Sequence, residues 1–80
     1  MPYIELGIRE SLDQGRKPAK PGELNYLMAR LVRSYLAMTG LSYTNLNAVA
    51  GVLSCLQMEV YRRVTALYED TKMSENGDVF

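Results

Sequence analysis

Tyrosine and arginine side chains are the groups in this sequence best suited to recognising a ligand. The chain holds six tyrosines in 80 residues, with one phenylalanine and no tryptophan. A tyrosine ring offers a flat face for a nucleobase, and arginine offers a planar fork that binds phosphate through two hydrogen bonds. The pattern therefore favours a site for a phosphate-bearing ligand. The candidate residues are Glu23, Asn25, Tyr26, Arg30, Tyr61, Arg62 and Arg63.

Each candidate has a definite expected role. Two tyrosines would stack on a base, three arginines would hold phosphate, and the remaining acid and amide would read base or ribose edges. For any single residue a plainer interpretation is stronger: a tyrosine at the rim of the core, or an arginine that complements a helix dipole and pairs with a nearby glutamate. The hypothesis depends on the combination. The assigned roles are stacking for Tyr26 and Tyr61, phosphate for Arg30, Arg62 and Arg63, and edges for Glu23 and Asn25.

The residue inventory argues against catalysis. There is no histidine, so the usual general base and the usual metal ligand are both missing from the sequence. Cys55 lies in the middle of an apolar helix face without an adjacent base, which is typical of a buried, inert thiol. Neighbouring acids such as Glu69 and Asp70 are typical of a solvated helix end. We expect a non-enzymatic protein with no metal and no cofactor.

The charge balance narrows the range of partners. Nine Lys and Arg offset nine Asp and Glu, so no net field attracts a nucleic-acid polymer or a membrane surface. No apolar run approaches the roughly 18 residues needed to span a bilayer. The first residues carry neither a basic segment nor an apolar one, so no signal peptide is expected. The default location is the cytoplasm.

The spacing of apolar residues predicts an all-α domain over 1–80. A short helix over 1–14 and a loop with two prolines come first. A helix over 22–39 follows, with leucines repeating every three and four positions, and it ends at Gly40. Ser42 is a good N-cap for a long helix over 43–70, which precedes a polar tail over 71–80. The two longer helices are expected to form an antiparallel hairpin.

Self-association is expected because one hairpin cannot bury all of this apolar surface. The third helix carries a stripe of large apolar residues and a second stripe of small ones around Gly51 and Cys55. An 80-residue chain with one cysteine has a marginal core and no internal disulfide. The predicted architecture is a short helix plus a long hairpin, assembled as a homo-oligomer. The large stripe is Leu46, Val49, Leu53, Leu56, Val60, Val64 and Leu67.

Several phrases of the sequence resemble a family of short, uncharacterised phage proteins. They are 21–26 (PGELNY), 40–43 (GLSY), 60–64 (VYRRV), 68–69 (YE) and 75–80 (ENGDVF). The resemblance implies a phage-encoded protein that acts in the host cytoplasm. By analogy of size, class and residue inventory, the chain is also similar to the anti-CBASS and anti-Thoeris sponges. Such proteins sequester cyclic nucleotide or cyclic ADP-ribose signals at subunit interfaces.

Three functions follow as expectations. The first is a sponge that binds a cyclic nucleotide immune signal, without turnover, in pockets between subunits. The alternative is a protein-interaction module that docks through the apolar surface of the third helix on a host or phage protein. A structural component of the virion is the third. Direct binding of a nucleic-acid polymer ranks below these, because no basic stripe follows one face.

Overall fold

A computed structural model describes residues 4–80, and in that range every regular element is a helix. The predicted all-α class is confirmed. The chain divides into two compact units, Met1–Asn45 (unit 1) and Leu46–Phe80 (unit 2). Among residues 4–80, none of the helices combines the length and the hydropathy that a membrane span requires.

The first unit contains two helices, α1 (Leu6–Asp13) and α2 (Pro21–Thr39). The predicted helix over 1–14 is shorter in the structure, and its first three residues lie outside the described part of the chain. The helix ends near Gly15, whose φ of 110° is unfavourable for residues with a side chain. Pro21 occupies the first turn of α2, where its missing N–H donor costs nothing.

A small apolar core holds α1 and α2 together. Its buried members are Ile4, Leu12 and Tyr26, with Ile8 and Leu27 packed against them. Leu12 is only 2% exposed and Tyr26 only 5% exposed. The apolar residues recur at intervals of four, at Ile4, Ile8 and Leu12. Ile8 and Leu12 therefore share one face of α1, and Ile4 packs with them from just before the helix begins. This apolar stripe is therefore the face of the N-terminal segment that packs against α2.

The turn after α2 has the caps that the sequence predicts. Gly40 ends the helix with a φ of 97°, and its N–H donates to the carbonyl oxygen of Leu36 at 2.8 Å. The hydroxyl of Ser42 accepts a hydrogen bond from the N–H of Asn45 at 3.1 Å, which is the N-cap geometry. The side-chain amide of Asn45 also donates to the carbonyl oxygens of Thr39 and Gly40, at 3.1 and 2.8 Å.

The remaining chain is one continuous helical path over 43–76. It consists of α3 (Tyr43–Val60), a single π-helical turn (Tyr61–Thr65) and α4 (Ala66–Asn76). The boundary between the units falls after the first turn of α3. Residues on both sides of the π turn keep right-handed helical dihedrals, so the path does not break there.

The helix ends six residues later than predicted, at Asn76 rather than Asp70. The polar segment 71–76 was expected to be tail, yet it contains neither proline nor glycine, and polar residues do not stop a helix by themselves. Lys72 pairs with Glu75 one turn along, at 3.2 Å. Gly77, with a φ of 84°, provides the actual C-terminal stop.

The π turn also divides the predicted apolar stripe. A π turn takes up one residue more than an α turn, so the helix faces beyond it are rotated by about 100°. In a regular α-helix Val64 and Leu67 would continue the row that ends at Val60. Val64 lies within the π turn, and Leu67, beyond it, faces another direction. The stripe predicted over 46–67 is therefore a row on α3 that ends at Val60, with Val64 inside the π turn and Leu67 on α4 in a different orientation.

Candidate functional site

Two groups of predicted site residues exist in the structure, one in each unit. Glu23, Asn25, Tyr26 and Arg30 all lie on α2. Tyr61, Arg62 and Arg63 lie together in the π turn. Glu23, Tyr26 and Arg30 are three and four positions apart, so they share one face of α2. The π-turn residues are consecutive, so they are close in space but point in different directions.

In unit 1 the centre of the site is a contact between Tyr26 and Asp13. The phenol of Tyr26 donates to the carboxylate of Asp13, whose two oxygens both lie 3.0 Å from the hydroxyl oxygen. Burial of the ring raises the pKa of Tyr26, and the hydrogen bond to Asp13 raises it further. The phenol is therefore a neutral donor at physiological pH. Asp13 was not among the predicted residues, because nothing in its local sequence distinguishes it from an ordinary acid at a helix end.

Arg30 covers this contact from one turn further along α2. Its guanidinium nitrogen lies 3.6 Å from an Asp13 oxygen, and its guanidinium carbon lies 5.8 Å from the centre of the Tyr26 ring. Both are favourable interactions for a cation, one with the carboxylate and one with the ring face. Tyr26 and Arg30 are thus brought together as expected. The Tyr26 ring belongs to the core, however, and within one chain its face is occupied.

Glu23 is the other buried polar residue of this unit, with 7% of its surface exposed. Its Oε1 atom accepts a hydrogen bond from the N–H of Ala19 at 3.0 Å and lies 3.0 Å from a guanidinium nitrogen of Arg16. The Ala19 hydrogen bond, helped by the charge of Arg16, lowers the pKa of Glu23 against the opposing effect of burial. Glu23 therefore fastens the loop 14–20 to the first turn of α2. Asn25, two positions along, is exposed.

A cleft of about 330 Å³ lies between α1 and α2 beside the Tyr26–Asp13 contact. Arg9 and Glu10 line it from α1, and Arg30 and Arg33 line it from α2. Arg9 was missed as a site residue because α1 carries no tyrosine and gave no ligand pattern. Its four-residue distance from Asp13 is the one sequence signal that could have placed it on this face.

In unit 2 the arginines of the π turn surround one carboxylate. Glu59 binds Arg62 through one oxygen at 2.8 Å and Arg63 through the other at 2.5 Å. Both guanidinium groups remain mostly exposed, and Tyr61 beside them is exposed as well. These are the i, i+3 and i, i+4 pairs of the plainer interpretation. One carboxylate shared by two guanidiniums leaves a net positive charge at the turn.

In the described part of the chain, metal-binding and nucleophilic side chains contribute little to either candidate site. Within residues 4–80 no cluster of three or more Cys, Asp or Glu side chains is arranged to hold a metal ion. Cys55 was expected to be a buried thiol on an apolar face, and that expectation is wrong for the single chain. The thiol is exposed, because the α3 face on which it lies is uncovered in the single chain.

Comparison with known proteins places the chain in a family without assigning it an activity. No curated protein and no solved structure gives a match. Residues 1–79 match the model of DUF6899, described as a domain of unknown function. The predicted membership of an uncharacterised family is confirmed at that level. Because the match covers nearly the whole sequence, the chain belongs to the DUF6899 family.

Proposed function

We propose that this protein is a non-catalytic binding protein that assembles with copies of itself through the surface of α3. The supporting observation is the exposure of large apolar side chains along that helix. Leu46, Leu53, Leu56 and Val60 are each between 41% and 48% exposed in the single chain. Contiguous apolar surface of this kind is rare on a monomer and marks an interaction site.

Apolar residues also lie away from that row, on other sides of α3. Val52 and Met58 are more than 60% exposed, and Cys55 is exposed beside them. A helix that is apolar on several sides is normally buried on several sides. Covering α3 on one face alone would leave the other face in water. This favours an assembly over a single docking contact.

A second copy of the same helix is the occupant that fits this surface. The segment 43–58 carries no charged side chain, so a partner that recognises charge would find nothing to pair with there. Another α3 supplies both a row of large side chains and a row of small ones, and the two can interdigitate. The space above Gly51 is open, since an added Cβ would meet no atom within 4 Å. We also propose that the two longer helices form the antiparallel hairpin that the sequence predicts.

Light scattering coupled to size exclusion tests the assembly. We expect a mass that is a multiple of 9.0 kDa at tens of micromolar protein. Leu53→Asp buries a carboxylate in the proposed interface and should return a monomer. Ser74→Asp introduces the same charge on exposed α4 and should leave the assembly intact. A stable 9.0 kDa particle for the unmodified chain at tens of micromolar protein contradicts the proposal.

A second candidate function is sequestration of a cyclic nucleotide signal by the assembled protein, as in a phage anti-defence sponge. The observation that favours it is the exposed group of Tyr61, Arg62 and Arg63 in a π turn directly after α3. Single π turns inside α-helices occur often at functional sites. Self-association through α3 would bring such turns from several copies near one another, where guanidinium forks can hold phosphates and rings can stack on bases.

Calorimetry with a panel of cyclic di- and trinucleotides tests this second function. Binding should require both π-turn arginines, so the double variant Arg62→Ala and Arg63→Ala should release no heat. Arg62→Ala alone is compared with Lys72→Ala, which removes the same single positive charge from α4 and serves as the control. No heat from any member of the panel at tens of micromolar protein argues against the sponge.

Docking on an unrelated protein is the alternative use of the same surface. It predicts a different pattern of losses in a functional assay. Gly51→Leu should abolish function by filling the space over α3, while Arg62→Ala and Tyr26→Phe should leave function intact. Loss of function in Arg62→Ala instead favours ligand binding, because both uses of the surface are sensitive to Gly51→Leu.

A further inference from the structure

The residues that line the cleft between α1 and α2 are suited to binding an anion. Neither self-association through α3 nor ligand binding at the π turn involves this cleft. Three guanidinium groups line it: Arg9 from α1, and Arg30 and Arg33 from α2. We infer that this cleft binds a small phosphate-bearing organic molecule within unit 1 of a single chain. The inference requires neither self-association nor the arginines of the π turn.

Arg9 is the residue that carries the inference. Its Nε atom is buried, and among the described residues it has no hydrogen-bond partner. A buried N–H of a charged group without an acceptor is costly, and native proteins seldom leave one unpaired. Because Arg9 lines the cleft, a small rotation of its side chain would turn this buried N–H toward an anion there, which would supply the missing acceptor.

Arg33 offers a second free fork on the opposite wall. Within residues 4–80 its guanidinium takes part in none of the ion pairs, which involve other arginines and one lysine. Arg30, by contrast, is already committed to Asp13 and to the Tyr26 ring. The ligand would therefore be held chiefly by Arg9 and Arg33, with Arg30 contributing long-range charge.

The acidic groups of the cleft do not cancel this charge. Asp13 is occupied by the Tyr26 hydroxyl and by Arg30. Glu10 also lines the cleft and is exposed, so it leaves part of the entrance negative. Three guanidiniums against two carboxylates give a net positive charge of one. This balance favours a small anion over an extended polyanion.

Phosphate fits the arrangement better than a carboxylate does. Two guanidinium forks approach from two different helices, and a phosphate group has enough terminal oxygens to accept hydrogen bonds from both. A carboxylate has two oxygens and is satisfied by one fork. Leu6 and Ala29 give the cleft an apolar portion for an organic substituent. A volume of about 330 Å³ is at the lower end for small-molecule sites.

Nuclear magnetic resonance of the full chain tests the inference with phenyl phosphate as the probe. The Nε–H resonance of Arg9 is a direct reporter, because a phosphate oxygen that accepts from it must shift that signal. We expect saturable shifts at Arg9 and Arg33 with phenyl phosphate, weaker ones with inorganic phosphate, and none with phenol. Saturable binding without any change at the Arg9 Nε–H overturns the assignment.

Charge-matched variants separate this cleft from the other proposals. Arg9→Gln and Arg33→Gln should each weaken phenyl phosphate binding by about tenfold or more, whereas Arg62→Gln removes the same charge from unit 2 and should change nothing. Arg33 is exposed, so its variant should fold even if that of Arg9 does not. The titration is repeated on the monomeric variant Leu53→Asp, which should bind phenyl phosphate as well as the unmodified chain does. A failure of the assembly proposal is then distinguishable from a failure of this site. Equal losses from Arg62→Gln and Arg33→Gln would mean nonspecific attraction and refute the cleft.

Discussion

The hydroxyl of Tyr26 lies 3.0 Å from each carboxylate oxygen of Asp13, and this contact joins the second turn of α2 to the last residue of α1. The two residues are thirteen positions apart. The ring fills the small core of unit 1 while its polar end reaches the surface. One side chain thus contributes both to the apolar packing and to the polar contact between α1 and α2.

Removing the Tyr26 hydroxyl should weaken the contact between α1 and α2 without leaving a cavity in the core. We expect Tyr26→Phe to lower the stability of unit 1 modestly, because the carboxylate of Asp13 loses its donor while the ring stays in place. Urea denaturation followed by circular dichroism measures the effect. A double-mutant cycle with Asp13→Asn should show that the two changes are not additive. Full additivity would mean that the contact contributes nothing in solution.

The apolar side of the same core is tested at Leu12. Truncation of this buried side chain by Leu12→Ala should cost about 2–3 kcal/mol, the lower part of the range for leucine in a core, since the surrounding packing is thin. Leu31→Ala removes the same atoms from a position that is mostly exposed and should cost much less in the single chain. Chemical denaturation of both variants gives the comparison, and equal losses would contradict the described core.

Acid should weaken the loop 14–20 through Glu23. The folded pKa of Glu23 is lowered, so its stabilising contribution is present above the ordinary glutamate pKa of about 4.3 and is lost as the pH falls through the lower folded value. Glu23→Gln should flatten the acid limb of a stability-versus-pH curve. An unchanged acid limb in that variant would assign the transition to other carboxylates.

Alkaline pH should act on Tyr26 in the opposite direction. Its folded pKa is raised, so its contribution is fully present below the ordinary tyrosine pKa of about 10 and is lost as the pH rises through the higher folded value. Absorbance titration of the phenolate band should show one tyrosine that ionises later than the others. In Tyr26→Phe that late component should be missing, and its persistence would identify a different buried tyrosine.

Two glycines that both have open space should respond to alanine with opposite signs. Gly40 has a φ of 97° and a ψ of 152°, a region essentially restricted to glycine, so Gly40→Ala should cost about 1–3 kcal/mol. Gly51 lies inside α3 with helical geometry, so Gly51→Ala should raise the helix stability of the dissociated chain by about 0.5–1 kcal/mol. Thermal unfolding of both variants in the Leu53→Asp background checks this. A neutral Gly40→Ala would show that the turn does not need its strained geometry.

The sequence by itself determined the helical class and most helix boundaries. Ser42 caps α3, Gly40 ends α2 and Pro21 opens it, because each of these depends on contacts within a few residues of the chain. Local rules failed at Asp70, where a polar sequence was expected to end a helix that continues to Asn76. Polarity describes solvent exposure, whereas only the backbone freedom of Gly77 stops the helix.

The tertiary structure decided which side chains meet. The pairing of Asp13 with Tyr26, the burial of Glu23 under the loop 14–20, and the place of Arg9 in the cleft all depend on how α1 and α2 pack. Such contacts join residues from separate elements, and no periodicity in either helix encodes them. The π turn likewise rotates Leu67 away from the α3 row, although its spacing alone would continue that row. Spacing fixes a face only while the helix keeps one repeat, and backbone hydrogen bonding decides where that repeat changes.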